Sequence, residues 1–258
     1  MQRRLPQETI GILDTFALID LAAIGVLLIA AFVHGAFGFG FPLVATPLLV
    51  LVMDMRAAVL LTLIPTIAIN LVSIATERRW LEALRRFWPI PVFTMIGSLI
   101  GTRVLLSVDP EPFRLLLALV LIIFLILQRK RAAGAEHRIP HWGLALLGLG
   151  MGLLAGLVNV FSPIVVAFAL YTRMHPGLMV ATFNLSFITS KSGQLTGFAL
   201  QDALDPTIIQ LALLALPAVL VVLWIGIRVR RRLDQVTYRR WLNRALWAIA
   251  LVLLLDSV

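Results

Sequence analysis

Hydrophobic residues run along this chain in long blocks, and polar residues fall mainly between them. Apolar stretches cover residues 16–36, 57–75, 88–107, 113–128, 141–158, 177–200, 206–227 and 241–255. Most are close to the ~20 residues an α-helix needs to cross a hydrocarbon layer ~30 Å thick. Two further runs, 42–53 and 163–172, are too short to cross. The pattern predicts an all-α polytopic membrane protein of about ten helical segments.

The polar residues between the blocks are sorted by sign. Arginine collects in three loops, at Arg78, Arg79, Arg85 and Arg86, at Arg129, Lys130, Arg131 and Arg138, and from Arg228 to Arg240. The loops between these are short and acidic, with Asp109 and Glu111 in one and Asp202 and Asp205 in the other. Since positive loops stay in the cytoplasm, the basic loops are expected inside and the acidic ones outside. Both termini are then expected outside the cytoplasm. Arg3 and Arg4 before an apolar stretch mimic a signal peptide, but the stretch is too long and lacks a small-residue cleavage site, so a retained first helix is expected.

The chain also repeats itself. Gly101, Arg103, Val104, Asp109 and Arg114 match Gly226, Arg228, Val229, Asp234 and Arg239 at an offset of 125, and Phe113 stands against Tyr238. Earlier in each copy, Pro42 and Pro163 fall in register at an offset of 121. With the loop charges placed as above, the helix at 57–75 runs inward and its equivalent at 177–200 runs outward. The expected organisation is a first transmembrane repeat at 1–128, a cytoplasmic linker at 129–140 and a second, inverted repeat at 141–258. Ten thin crossings satisfy this arithmetic. So do six full spans plus two hairpins that dip to mid-membrane, which the short runs favour.

Composition agrees and removes other classes. Sixty per cent hydrophobic residues, a mean hydropathy of +0.99 and 14% charge exclude an ordinary soluble domain, which averages about 25% charged residues. The net charge of +9 is confined to loops, and no soluble segment is long enough to fold into a nucleic-acid-binding surface. With no cysteine and four scattered histidines, there is no disulfide, thiolate site or metal-ligand cluster, and neither metal nor cofactor is expected. The absence of a nucleophile paired with a base argues against an enzyme.

Two turns and two helices carry the candidate chemistry. Gly38-Phe39-Gly40-Phe41-Pro42 and Asn159-Val160-Phe161-Ser162-Pro163 each precede a short apolar run. Proline is tolerated at a helix start, and Ser162 is a good N-cap, so both short helices are expected to begin there, near mid-membrane. In an inverted pair the two starts converge, presenting free N–H groups and positive dipole ends that attract an anion. The following helices carry polar stripes: Thr62, Thr66, Asn70 and Ser73 in the first copy, and Asn184, Lys191 and Gln194 in the second. At the offset of 121, Asn70 stands opposite Lys191 and Ser73 opposite Gln194.

Lys191 is one of two lysines among 22 basic residues. It lies about nine residues, roughly 13 Å, from the outer end of its helix. Two placements are open to it, a polar cavity where it meets an anionic substrate, or snorkelling to the outer headgroups. His34, before Gly35, is a candidate donor, proton acceptor or buried residue tied to a carbonyl. The expected substrate-binding set is Lys191, Asn70, Asn184, Gln194, Asn159, Ser162, Gly38, Gly40, Phe41, Thr66 and His34.

The first turn, followed by Leu43 to Thr46 and then Pro47-Leu48-Leu49, resembles the glycine-rich frame of the sulfite exporter TauE/SafE family of membrane transporters. Met55-Arg56-Ala57-Ala58-Val59, the basic loop at Arg78-Arg79 and the Gly97-x-x-x-Gly101 segment are similar to that family too. The resemblance covers nearly the whole chain and implies export of sulfite or of an organosulfur or carboxylate anion. Phe41 and Pro42 stand at family glycine positions, as do Asn159, Phe161, Ser162 and Pro163. These substitutions add bulk around the turns and point to a larger organic anion with an apolar part.

The expected function is therefore a secondary transporter exporting a small anion across the inner membrane by alternating access. Export downhill in the membrane potential, about 2.3 kcal/mol per charge per 100 mV, needs no coupling ion. An anion channel or an importer built on the same site is the alternative; a membrane-embedded enzyme or an assembly protein ranks below both. The expected partners are a small anionic substrate and the lipid bilayer, with a homodimer allowed and nucleic acid excluded.

Overall fold

A computed structural model of the chain describes residues 7–76, 79–127, 139–230 and 235–256. These residues form eleven helices and no strand. In order they are α1 (Gln7–Phe37), α2 (Phe41–Leu49), α3 (Met55–Thr76), α4 (Trp80–Phe87), α5 (Pro89–Ser107), α6 (Glu111–Leu127), α7 (His141–Val158), α8 (Ser162–Thr172), α9 (Pro176–Ala199), α10 (Pro206–Val229) and α11 (Gln235–Asp256). The ten apolar runs are all helices, and the chain is a polytopic membrane protein. Among the described residues, five segments are long and apolar enough to cross a bilayer: Ile19–Phe37, Met55–Ala75, Pro89–Ser107, His141–Val158 and Pro206–Val229. At 1.5 Å per residue, α2 and α8 reach only ~14 and ~17 Å, about half the hydrocarbon layer. The side chains of Leu213, Leu214, Val221 and Trp224 on α10 face outward, as lipid-facing residues do.

Two details depart from the sequence-based expectation. The stretch at 76–88, read as a basic loop, contains α4, an eight-residue amphipathic helix that buries Ala83 and Phe87 and exposes Arg85 and Arg86. Its apolar stripe Trp80, Ala83, Leu84 and Phe87 has helical spacing, but the arginines beside it masked the pattern. Ser162 does not act as an N-cap: Phe161 occupies that position, Ser162 is the first helical residue, and no side chain caps the helix. Pro42 and Pro163 are therefore second residues of their helices, where the backbone N–H also lacks an intrahelical partner. Residues 128–138, which hold most of the expected linker at 129–140, and the terminal residues 1–6 and 257–258 lie outside the described residues, as do 77–78 and 231–234.

Side-chain caps fix several helix starts. Asp54 accepts from the backbone N–H of Arg56 and Ala57 at 2.8 and 3.0 Å, and Asp205 accepts from Thr207 at 2.8 Å. Arg56 in turn donates from Nε to Leu105 O at 3.1 Å and from Nη2 to Val108 O at 2.8 Å. The start of α3 is thereby pinned to the end of α5.

The two halves are interleaved. α1 packs on α10 and α7 on α5; α3 packs on α10 and α9 on α5; α2 packs on α11 and α8 on α6. Each of these pairs joins a helix before residue 129 to one after it, and the members of each couple would exchange under the expected repeat. The α1–α10 and α5–α7 contacts are backbone to backbone. A Cβ on Gly156 would lie 2.5 Å from Thr102 N, and one on Gly226 would lie 2.6 Å from Phe32 O. Gly35 and Gly156 differ by 121 and Gly101 and Gly226 by 125, so both close approaches use repeat-related glycines. Small residues serve this purpose in membranes, where apolar burial does not separate helix from lipid and close packing supplies the attraction.

Candidate functional site

The site grows from the two turns. Gly38 and Gly40 hold φ of 84° and 105°, conformations a side chain would strain, and they let the chain reverse from α1 into α2. The second turn reverses α7 into α8 through Asn159 at φ 63°, a left-handed geometry that asparagine tolerates. Phe183 on α9 connects the turns: its ring centroid lies 5.4 Å from Phe39 and 6.3 Å from Phe161. Phe187 adds a contact to Phe161 at 4.2 Å.

Around the second turn the polar side chains form one network. Lys191 Nζ donates to Asn159 Oδ1 and to Gln194 Oε1. Asn159 Nδ2 donates to Thr46 Oγ1 at 2.7 Å and to Thr62 Oγ1 at 2.8 Å, so one amide joins α2, α3 and α9. Gln194 Nε2 is held by Ala155 O at 2.6 Å. Lys191 is fully buried, which removes the snorkelling alternative. Both its partners are neutral amide oxygens. The ammonium has three donors, and the third has no partner among the described residues.

The first turn is organised by His34. Phe41 N donates to His34 Nδ1 at 3.3 Å, and His34 Nε2 lies 3.0 Å from Ser73 Oγ. With Nδ1 accepting, the ring hydrogen sits on Nε2 and points to Ser73. Ser73 Oγ donates onward to Ile69 O at 2.9 Å. His34 thus ties the start of α2 to α3, and the first N–H of α2 is already occupied.

The remaining expected residues divide. Thr66 turns its hydroxyl onto Thr62 O at 2.6 Å, within its own helix. Asn70 Nδ2 donates to Thr66 O at 2.7 Å, but its Oδ1 is buried without a partner. Asn184 is fully buried with neither amide atom partnered. Ser162 is buried at the second turn. Thr46, Phe183 and Phe187 are site residues that sequence reasoning passed over. The repeat carried a signal for the last two: at the offset of 121 they replace Thr62 and Thr66, so aromatic rings stand where the other copy has hydroxyls.

The network is closed. His34, Thr46, Thr62, Thr66, Asn70, Asn184, Lys191 and Gln194 are each 0% exposed, so none borders a water-sized space. Cavities open at either end instead. On the α4 side, two adjoining spaces of about 340 and 220 Å³ share Arg86, Phe87 and Thr172, and Arg79, Arg173 and His175 line the smaller. At the opposite end a space of about 420 Å³ is lined by Asp54, Arg56, Gln201 and Asp205 among others. The edge-to-face pair Phe87 and Phe168, with centroids 5.6 Å apart, stands beneath the α4-side mouth. No group of three or more metal-ligating side chains occurs among the described residues.

A family model described as sulfite exporter TauE/SafE matches residues 22–253. No curated protein and no solved structure matches the chain.

Proposed function

Because the chain belongs to the sulfite exporter TauE/SafE family, we propose that it is a secondary transporter that moves a small sulfur-containing or carboxylate anion out of the cytoplasm by alternating access. The family accounts for membrane transport of sulfite or a related anion. The substrate's head group, the direction and the carrier mechanism rest on the site.

The observation that carries the reading is the partnering of Lys191. A buried ammonium is costly unless paired, and this one is held by the oxygens of Asn159 and Gln194 with one N–H left over. An oxyanion is a stronger partner than either amide, since charge-assisted hydrogen bonds are roughly twice as strong as neutral ones. The amides thus stand in for substrate oxygens when the carrier is empty. That gives an empty carrier a closed state through which to return, as net export requires.

The route follows from the two ends. Arg79, Arg86 and Arg173 at the α4-side mouth collect an anion from the cytoplasm, consistent with the expected placement of the basic loops inside. The exchanged pairing of the halves supports an inverted repeat whose rocking opens one mouth and then the other. Both termini then lie outside.

Flux from liposomes tests the reading. Liposomes carrying the purified protein and loaded with sulfite, ethanesulfonate or acetate should release at least one of them saturably, and faster when a potassium diffusion potential makes the interior negative. Failure to release any of these anions would refute the proposal, and turnover of thousands of ions per second would replace the carrier with a channel.

A further inference from the structure

The closed site contains three amide atoms with no partner, and their chemistry specifies more than an anion. Asn70 Nδ2 donates to Thr66 O, a carbonyl that can only accept, so the unpartnered Asn70 atom is an acceptor oxygen. Asn184 has a free oxygen and a free NH₂. Buried polar groups are partnered in about nine cases of ten, so these demand an explanation.

The helix directions place them at one level of the bundle. α3 begins where α5 ends, because Arg56 bonds Leu105 O and Val108 O. α9 follows α5 in parallel, since Cβ atoms on Gly193 and Gly197 would meet Ser98 and Thr102 respectively. α3 and α9 are therefore antiparallel neighbours. Asn159 bridges Thr62 on α3 to Lys191 on α9. From that level, Asn70 lies eight residues on along α3 and Asn184 seven residues back along α9, about 12 and 10 Å in the same direction. Seven residues turn a helix by about 700°, within ~20° of two full turns, so Asn184 shares its face with Lys191. Phe183, beside Asn184, stacks on Phe39 of the first turn, while Phe161 and Phe187 line the interval.

We propose that the transported anion carries, apart from its charged head, a hydroxyl or amino group that donates to Asn70 Oδ1 and Asn184 Oδ1, so that the site reads the two ends of one molecule. The inference rests on the function proposed above, and it fixes a second requirement: a bare oxyanion offers Asn70 nothing. The head group meets Lys191 at the second turn, the apolar middle passes the phenylalanines, and the donor end lies near the first turn.

The test compares ethane-, propane- and butanesulfonate with their ω-hydroxyl counterparts in liposome flux, for the wild type and for Asn70→Ala and Asn184→Leu. In the wild type, one hydroxylated length should be carried at least about tenfold better than its parent, as expected for a hydrogen bond worth about 1.4 kcal/mol. In each variant that ratio should fall toward one. The thermal midpoint of Asn184→Leu should not drop, because replacing an unpartnered amide with an apolar group of similar shape removes no bond; a drop would make Asn184 a structural residue and overturn its role. Equal wild-type flux of parent and hydroxylated anions overturns the proposal and leaves the anion carrier standing. Equal flux that depends on sodium would assign the amides to a cation instead. Flux of neither series would remove both readings.

Discussion

Lys191→Met separates the charge of Lys191 from its packing. Methionine keeps most of the volume of the buried stem and deletes the ammonium that Asn159 and Gln194 hold. At an effective dielectric of about 20, a unit negative charge ~4 Å from the ammonium gains roughly 4 kcal/mol. At 1.4 kcal/mol per decade, that is about a thousandfold in affinity. Stability responds differently. Losing the ammonium leaves two buried oxygens without a donor, at about 1–3 kcal/mol each, but it also removes a desolvation penalty of several kcal/mol. The two terms oppose each other, so the thermal midpoint should move by only a few degrees. Anion-induced stabilisation of the purified protein then reads the charge alone. At a concentration a hundred times the wild-type Kd, the wild type should gain about 2.7 kcal/mol, and a thousandfold weaker variant less than about 0.1. Liposome flux should fall in parallel. Lys191→Met flux within about tenfold of wild type would refute the role assigned to the ammonium.

Gly156→Val should destabilise the protein by about 1–3 kcal/mol or more, because its Cβ would press on the backbone at Thr102 and drive α5 from α7; Gly25→Ala, with nothing within 4 Å of the added carbon, should instead stabilise by up to ~1 kcal/mol through helix propensity, and thermal unfolding in detergent distinguishes the two. Arg56→Gln should lower the unfolding midpoint, with about 1–2 kcal/mol lost as the α3 to α5 clamp at Leu105 and Val108 opens; an unchanged midpoint would show that solvent replaces the clamp. Since the chain has no cysteine, single substitutions report topology cleanly. A membrane-impermeant maleimide should label Asp109→Cys on intact cells and Arg85→Cys only after permeabilisation; the reverse pattern would invert the proposed orientation.

The long helices were legible because a bilayer imposes one length on any apolar run, whereas the caps Asp54 and Asp205 were recognised only in the structure. The depth of Lys191 was legible for the same reason, since counting residues along a helix measures distance. α4 was not, because eight residues with arginine on one face look like loop charge. Nor was the partnering at the site. Asn159 meets Thr46 and Thr62 across 113 and 97 residues of chain, and no local pattern predicts a hydrogen bond of that span.

The sequence by itself determined the membrane class, the sorting of loop charge and the polar residues in the spans, all properties of composition and periodicity. Only the tertiary structure decided that His34 spends its ring on Phe41 and Ser73, that Lys191 is held by amides, and that Asn70 and Asn184 are left unsatisfied. Whether a buried polar group is satisfied depends on which helices stand beside it. That is fixed by the antiparallel register of α3 and α9 and the close glycine approaches between the halves.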